Sequence, residues 1–302
     1  SGVARLKVHQ SAGDRIVLEY AESMNPDNTI QYNDMDDPHY YPDSPFQTDE
    51  FICGGGEMTW TPKFTYHGFR YVVVTGLKEA TAETLTALFI HQDVNRISDF
   101  ECSDENLNSL FRIGIQATWS NLFYMPTDCP TREKLGWMND AQSSIEQMLT
   151  DFDMEKLLTK WWQDICDAMR EDGMLPGIVP SSGWGYEWGN GPVSEGTLFE
   201  IPYRIYLHTG DDTLLKKGLT YFKKYNRYLQ GCKDAKGDIC YGLDDWAPPD
   251  NTDKVGAAFI NKVFTIKFLR ITILAQRVSG EDPAETQALL DREIQEIRNR
   301  YL

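Results

Sequence analysis

Asp128-Cys129-Pro130-Thr131-Arg132-Glu133-Lys134-Leu135-Gly136-Trp137-Met138-Asn139-Asp140 is the stretch on which the reading of this chain turns. Pro130 and Gly136 prevent a helix from running through it. After it, apolar residues recur at helical spacing at Ala141, Ile145, Met148, Leu149 and Phe152. Before it, Leu107, Leu110, Phe111 and Ile115 repeat the pattern behind Ser103, which reads as an N-cap, with Asp104 and Glu105 suited to the first turn. The stretch is therefore a loop between helices, and it concentrates three carboxylates, Asp128, Glu133 and Asp140, around the indole of Trp137.

That composition fits a definite chemistry. Breaking a glycosidic bond needs a proton on the leaving oxygen while positive charge builds on the sugar ring, so one carboxylic acid donates and a second group activates water or attacks. The donor must hold its proton near neutral pH, and neighbouring carboxylates favour that because like charges resist ionising together. Asp128, Glu133 and Asp140 could form such a cluster, with Trp137 sealing it or stacking on a sugar face. Each residue also has a plain alternative. Asp140 precedes a helical run and reads as an N-cap. Glu133 lies between Arg132 and Lys134 and reads as a solvated charge. Asp128 before Cys129-Pro130 reads as a turn residue, and Trp137 as core.

Working outward, the first hundred residues have the period of strands. Ala4, Leu6 and Val8 alternate with Arg5 and Lys7, and Ile16, Leu18 and Tyr20 alternate with Val17 and Glu19. Tyr71 to Thr75 and Ala87 to Val94 are further strand candidates, and Gly54-Gly55-Gly56 marks a tight turn. A polar loop spans Asn25 to Pro45; its Asp34, Asp36 and Asp37 suggest calcium, yet the glycine and terminal glutamate of an EF-hand are missing, so no metal is expected there. Beyond Asp140 the helical periods continue through Leu157–Met169, Ser194–His208, Thr213–Gln230, Val255–Val278 and Pro283–Leu302, with Gly210, Gly231 and Gly280 as stops. A Gly- and Pro-rich loop between Gly173 and Pro192 carries Trp184, Tyr186, Glu187 and Trp188.

Composition narrows the function classes. A chain of 302 residues with 41% hydrophobic and 12% aromatic content is an ordered globular protein of about two domains. A net charge of −17 opposes nucleic acid and anionic membranes and suits a neutral substrate. No apolar run approaches the roughly 20 residues of a membrane helix. No phosphate loop, dinucleotide fingerprint, zinc spacing or other cofactor motif is present. The six cysteines, Cys53, Cys102, Cys129, Cys166, Cys232 and Cys240, lack ligand or disulfide patterning and read mostly as buried thiols. Cys232 and Cys240 flank a short loop and could pair. His67 reads as a hydrogen-bonded packing residue. Ser1-Gly2 carries no signal, so cytoplasm, periplasm and secretion all stay open.

Three blocks resemble one family. Pro126 to Trp137, with Asp140-Ala141, is similar to the signature of the bacterial α-L-rhamnosidases of glycoside hydrolase family 78. Trp60-Thr61-Pro62-Lys63-Phe64-Thr65-Tyr66-His67-Gly68-Phe69-Arg70-Tyr71 is similar to the family motif that ends the preceding β-sandwich, and Gly242-Leu243-Asp244-Asp245-Trp246-Ala247-Pro248 is a third match in the same order. The resemblance implies Glu133 as general acid. It implies Asp128 and Asp140 as acids holding rhamnose hydroxyls, Arg132 and Trp137 as pocket lining, and Trp246, Trp188 and Tyr206 as an aromatic wall. Gly189-Asn190-Gly191 departs from the family's Gly-Asp-Ala and lacks its acid. The family inverts configuration, so a separate general base is implied. Glu187, Asp244 and Asp245 do not sit in its motif, and no match for it precedes Leu302, so these 302 residues alone are expected to lack that half of the pair.

The resulting expectation is a multi-domain, β-then-α chain: a β-sandwich over residues 1–101, then, over 102–302, the first part of an (α/α)6 barrel that breaks off after about seven helices. Hairpin helices without closing neighbours would expose apolar faces, which a further stretch of chain or a second copy (a homodimer) would cover. The expected activity is exo-acting, inverting removal of terminal α-L-rhamnose from a plant or bacterial glycoside or oligosaccharide. The alternatives are a non-catalytic sugar-binding fragment, or another (α/α)6 glycosidase or phosphorylase.

Overall fold

The computed structural model describes residues 1–31, 46–181, 183–243, 245–246, 248–249 and 254–301. Asp34, Asp36, Asp37 and Asp244 lie outside the described residues. The chain clusters into two compact units. One comprises Ser1–Asp93, Cys102–Phe123 and Thr127–Lys134; the other comprises Val94–Glu101, Tyr124–Pro126 and Leu135–Leu302. The acid-rich loop thus changes unit between Lys134 and Leu135.

In the first unit, six strands are described: β1 (Gly2–Gln10), β2 (Arg15–Ala21), β3 (Thr48–Ile52), β4 (Gly56–Trp60), β5 (Tyr71–Thr75) and β6 (Leu85–Phe89). They form two antiparallel sheets, ordered β4-β1-β6 and β3-β2-β5. Alternation along β1 and β2 turns Ala4, Leu6 and Val8 of one sheet and Ile16, Leu18 and Tyr20 of the other into a shared core with Cys53. Each fully buried aliphatic side chain there contributes about 2 kcal/mol of transfer free energy. Strands β3 and β4 escape the sequence reading: each is five residues long, carries acids (Asp49 and Glu50, Glu57) and lacks a β-branched run like that of β5. The turn between them does carry the glycines read from sequence, Gly55 and Gly56 having φ of +98° and +79°. The last strand ends at Phe89, so Ile90 to Val94 leave the expected Ala87–Val94 strand.

Helix α1 (Glu105–Ser120) belongs to the first unit. Its N-cap is Asp104, not Ser103: the Asp104 carboxylate accepts from the Asn106 N–H at 2.8 Å. The acid thus sits at the cap itself, where its charge also complements the helix dipole. His67 is buried, stacked on Tyr20 at 4.1 Å, with its ring nitrogens 3.0 Å from Gln47 Oε1 and 3.1 Å from Asp49 Oδ2, the packing role expected of it.

The second unit is helical: α2 (Met138–Asp151), α3 (Glu155–Asp167), α4 (Pro192–Glu195), α5 (Thr197–Thr209), α6 (Thr213–Gly231), α7 (Ala257–Val278) and α8 (Ala284–Tyr301). With α1, the long helices stand where the periodicity puts them; only the four-residue α4 was not separable from α5. Packing runs α2 on α5, α5 on α3 and α6, α6 on α7, and α7 on α8. Phe199 stacks between Phe222 and Phe268 at 4.6 and 4.4 Å in the centre. Pro202 lies inside α5 and cannot donate to the carbonyl of Leu198 four residues back. The Trp162 indole N–H, from α3, donates to that oxygen at 2.9 Å. Between α7 and α8, the buried Lys262 ammonium meets the buried Glu293 carboxylate at 3.0 Å, with Lys233 and Glu296 completing the ion-pair cluster.

No helix among the described residues is long and apolar enough to cross a membrane. None of the six cysteines is bonded to another; Cys53 and Cys166 are buried, whereas Cys102, Cys129 and Cys232 are only half-buried and Cys240 is exposed.

Candidate active site

The first half of the acid loop is built onto the strand unit. Thr131 is buried and its hydroxyl donates to Glu22 at 3.2 Å. Gly68 packs so closely on Pro130 that an added Cβ would stand 3.0 Å from the proline ring. Lys134 adopts φ +57°, an unfavourable region for a side-chain-bearing residue, and its ammonium donates to the Tyr66 carbonyl at 2.7 Å, 4.9 Å from the Tyr66 ring centroid. Burial pulls that ammonium below its ordinary pKa. Two sequence blocks far apart in the chain, Trp60–Tyr71 and Asp128–Lys134, therefore meet.

Within this half, Asp128 and Glu133 are half-buried and Arg132 is exposed. The sequence leads one to expect a buried carboxyl at 133; its side chain is only partly covered. Cys129 links the two acids. Its Sγ accepts the Glu133 backbone N–H at 3.3 Å, and its thiol is hydrogen-bonded to Asp128. Burial first, and the Asp128 carboxylate second, push the thiol pKa up, so Cys129 is a neutral donor and acceptor rather than a thiolate.

The second half is fastened in the helical unit. Gly136 O accepts from Val179 N at 2.9 Å, and Met138 N donates to Gly177 O at 3.0 Å. A Cβ at Gly136 would lie 2.2 Å from Val179 O, so only glycine fits. This pairing also settles the capping question. Trp137, not Asp140, occupies the N-cap of α2 and no side-chain hydrogen bond caps it; the first helical N–H, that of Met138, is taken by Gly177 O. Asp140 is exposed in the first turn, a favourable place for a negative charge.

Trp137 opens a chain of indoles. It is 7% exposed, Trp188 is 43% exposed and Trp246 is 63% exposed, so the rings run from core to surface. Trp137 lies edge-on to Trp188 at 5.5 Å and 74°, and Trp188 edge-on to Trp246 at 6.5 Å and 87°. Trp184 completes the cluster, 5.1 Å from Trp188 and 6.0 Å from Trp137. These rings sit on the segments that precede α2, α4 and α7. Gly189 makes room: a Cβ there would stand 2.4 Å from the Trp137 ring. Gly191 and Gly242 bring the two later loops together, with Leu243 N donating to Asn190 O at 3.2 Å. Trp188 and Trp246 are the exposed rings of the chain, and their indoles can receive the C–H side of a ligand. Tyr206, on α5, is half-buried.

Three residues escaped the sequence reading. Cys129 carries no signal beyond its place between two acids. Trp184 was visible only as a loop tryptophan. Glu195, at the end of α4, is fully buried, and burial raises its pKa to about 7 against the opposing hydrogen bonds from Tyr225, the Gly191 backbone and Tyr241. A glutamate in an apolar helical run was the available clue.

No group of three or more His, Cys, Asp or Glu side chains suited to a metal occurs among the described residues.

The sequence and fold both have known counterparts. Residues 95–302 match the family model described as the bacterial alpha-L-rhamnosidase 6 hairpin glycosidase domain, and residues 1–91 match the bacterial alpha-L-rhamnosidase concanavalin-like domain. An α-L-rhamnosidase of Formosa agariphila is 29% identical over 99% of this chain and 33% of its own length. One from Streptomyces avermitilis is 31% identical over 100% of this chain and 28% of its own. Among solved structures, the α-L-rhamnosidase from Dictyoglumus thermophilum superposes with a TM-score of 0.88 at 28% identity, covering 100% of this chain and 34% of that one. The Streptomyces avermitilis α-L-rhamnosidase complexed with L-rhamnose gives 0.88 at 28% identity, covering 100% and 28%. The chain thus spans about a third or less of the length of these relatives. With two successive domain models accounting for all but a few of its residues, and a glycosidase-domain match over most of its length, the chain belongs to the bacterial α-L-rhamnosidases.

Proposed function

We propose that the protein is an exo-acting, inverting α-L-rhamnosidase in which Glu133 protonates the leaving glycosidic oxygen. The observation that carries this reading is the indole chain Trp137–Trp188–Trp246, graded from buried to exposed on the loops before three helices. L-Rhamnose is a 6-deoxy sugar, so one end of it is a methyl group and much of its ring presents C–H bonds. The exposed rings of Trp188 and Trp246 suit such a surface, while carboxylates suit its hydroxyls. In this reading Asp128 and Asp140 accept from sugar hydroxyls, and Arg132 lines the same pocket.

Glu133 is suited to donate because its backbone is held through Cys129 and its neighbour Lys134 is pinned to Tyr66. A fixed donor lowers the orientational part of the barrier. Inversion requires a second acid across the ring, about 6.5–9.5 Å from the donor, so that a water fits between them. The substrate is a neutral glycoside with rhamnose at its non-reducing end, and the net charge of −17 does not oppose its approach.

The test is hydrolysis of p-nitrophenyl α-L-rhamnoside by the complete gene product, with product configuration followed by NMR. β-L-Rhamnose should appear first. Glu133→Gln should lower kcat by about 10²–10⁴-fold, the range for loss of a general acid. Full activity in that variant would remove Glu133 from the role, and phosphate-dependent turnover would make the enzyme a phosphorylase instead.

A further inference from the structure

Trp188 and Trp246 stand on the segments before α4 and α7, and something must fix the distance between their rings. Three contacts converge on one residue, Glu195. Glu195 N donates to Gly191 O at 2.9 Å, closing the end of the Trp188 loop. Beside it, Ser194 Oγ donates to Gly189 O at 3.0 Å. The Glu195 carboxylate oxygen Oε2 accepts from the Tyr225 hydroxyl of α6 and, at 3.3 Å, from the Tyr241 hydroxyl. Tyr241 begins the loop that carries Trp246, and its carbonyl accepts from Asn261 of α7 at 2.9 Å.

We infer that Glu195 is a positioning residue for the sugar site: it clamps the Trp246 loop through Tyr241 and the Trp188 loop through Gly191, and so sets the gap between the two indoles. The inference rests on the functional reading above for the meaning of that gap, but the clamp itself is a matter of geometry. The carboxylate is enclosed, so its acceptor strength is not shared with solvent. The groups facing it are the phenols of Tyr225 and Tyr241, with Tyr228 and the Cys232 thiol behind them. No cation is among them, so the carboxyl is not there as half of an ion pair. Removing the Tyr241 hydroxyl would free the loop at the point from which Leu243 and Trp246 follow, while the ring of Tyr241 could still pack on Tyr228 at 6.4 Å.

The experiment compares Tyr241→Phe, Glu195→Gln and wild type in the complete gene product. Tyr241→Phe should raise KM for p-nitrophenyl α-L-rhamnoside about fivefold, the worth of one hydrogen bond, with kcat unchanged within about twofold. Glu195→Gln keeps an acceptor at the same place and should recover most of the wild-type KM. A second readout needs no substrate: the exciton band of the Trp188–Trp246 pair in circular dichroism, isolated by subtracting Trp246→Phe in each background. It should weaken in Tyr241→Phe and return in Glu195→Gln. An unchanged band together with an unchanged KM in Tyr241→Phe overturns the clamp. Should wild type fail to turn over rhamnoside while the band still responds to Tyr241→Phe, the functional reading fails and the clamp stands.

Discussion

Single residues decide how the indoles meet, and Gly189 shows it most clearly. Its φ of +72° is one that side chains resist, and a methyl there would press on the Trp137 ring at 2.4 Å. Gly189→Ala should therefore destabilise the protein by about 2 kcal/mol and raise KM, both readable from a urea titration and steady-state kinetics. A variant of wild-type stability and KM would show that Trp137 has space to retreat. At this scale the sequence was informative about identity and poor about environment. Glu133, Asp128, Trp137 and Trp246 could be singled out from a motif. Whether Asp140 capped its helix could not, because the answer lies in backbone hydrogen bonds from the 177–179 segment, about forty residues downstream. Glu195 was hidden for a similar reason, since its partners are phenols at 225 and 241.

Among the elements, α5 contains a proline where a helix wants a donor, and α3 supplies one. Trp162→Phe keeps an aromatic ring in the core but removes three heavy atoms and leaves Leu198 O buried without its indole donor. The expected cost is about 2 kcal/mol in chemical denaturation; a loss below about 0.5 kcal/mol would mean that the α5 carbonyl finds another partner. The end of α4 carries a pH signature. Free in an unfolded chain, the Glu195 carboxyl titrates near 4.5, and in the folded protein it titrates at about 7. Between those values the folded state holds the extra proton, so stability falls as pH rises through about 4.5 to 7 and levels off above. Glu195→Gln should abolish that part of the slope, on the order of 3 kcal/mol, as seen by comparing melting midpoints of the two proteins at pH 5 and pH 8. Parallel midpoint curves would mean that the carboxyl is not depleted of solvent. Helices were legible because amphipathic spacing survives in all the long ones. Strands β3 and β4 were not, because their five-residue segments carry acids at Asp49, Glu50 and Glu57 and no β-branched run like that of β5.

Taken whole, the protein carries a net charge of −17, and a neutral sugar neither gains nor loses from that field. KM for a rhamnoside should change by less than about twofold between roughly 0.05 and 0.5 M salt, a span over which the Debye length shrinks severalfold. A steep dependence would point to a charged substrate. The joint between the two units also bears on how such proteins can be recombined. Glu133 arrives on a half-loop that is held by Tyr66, Gly68 and Glu22 of the strand-bearing unit. Swapping the amino-terminal strands for those of a cousin is therefore not a neutral exchange of modules. A chimera keeps Glu133 in place only if the incoming segment brings a matching seat for Pro130 and Lys134, and a seam drawn between the strands and the helices would inherit the donor proposed above without its foundation.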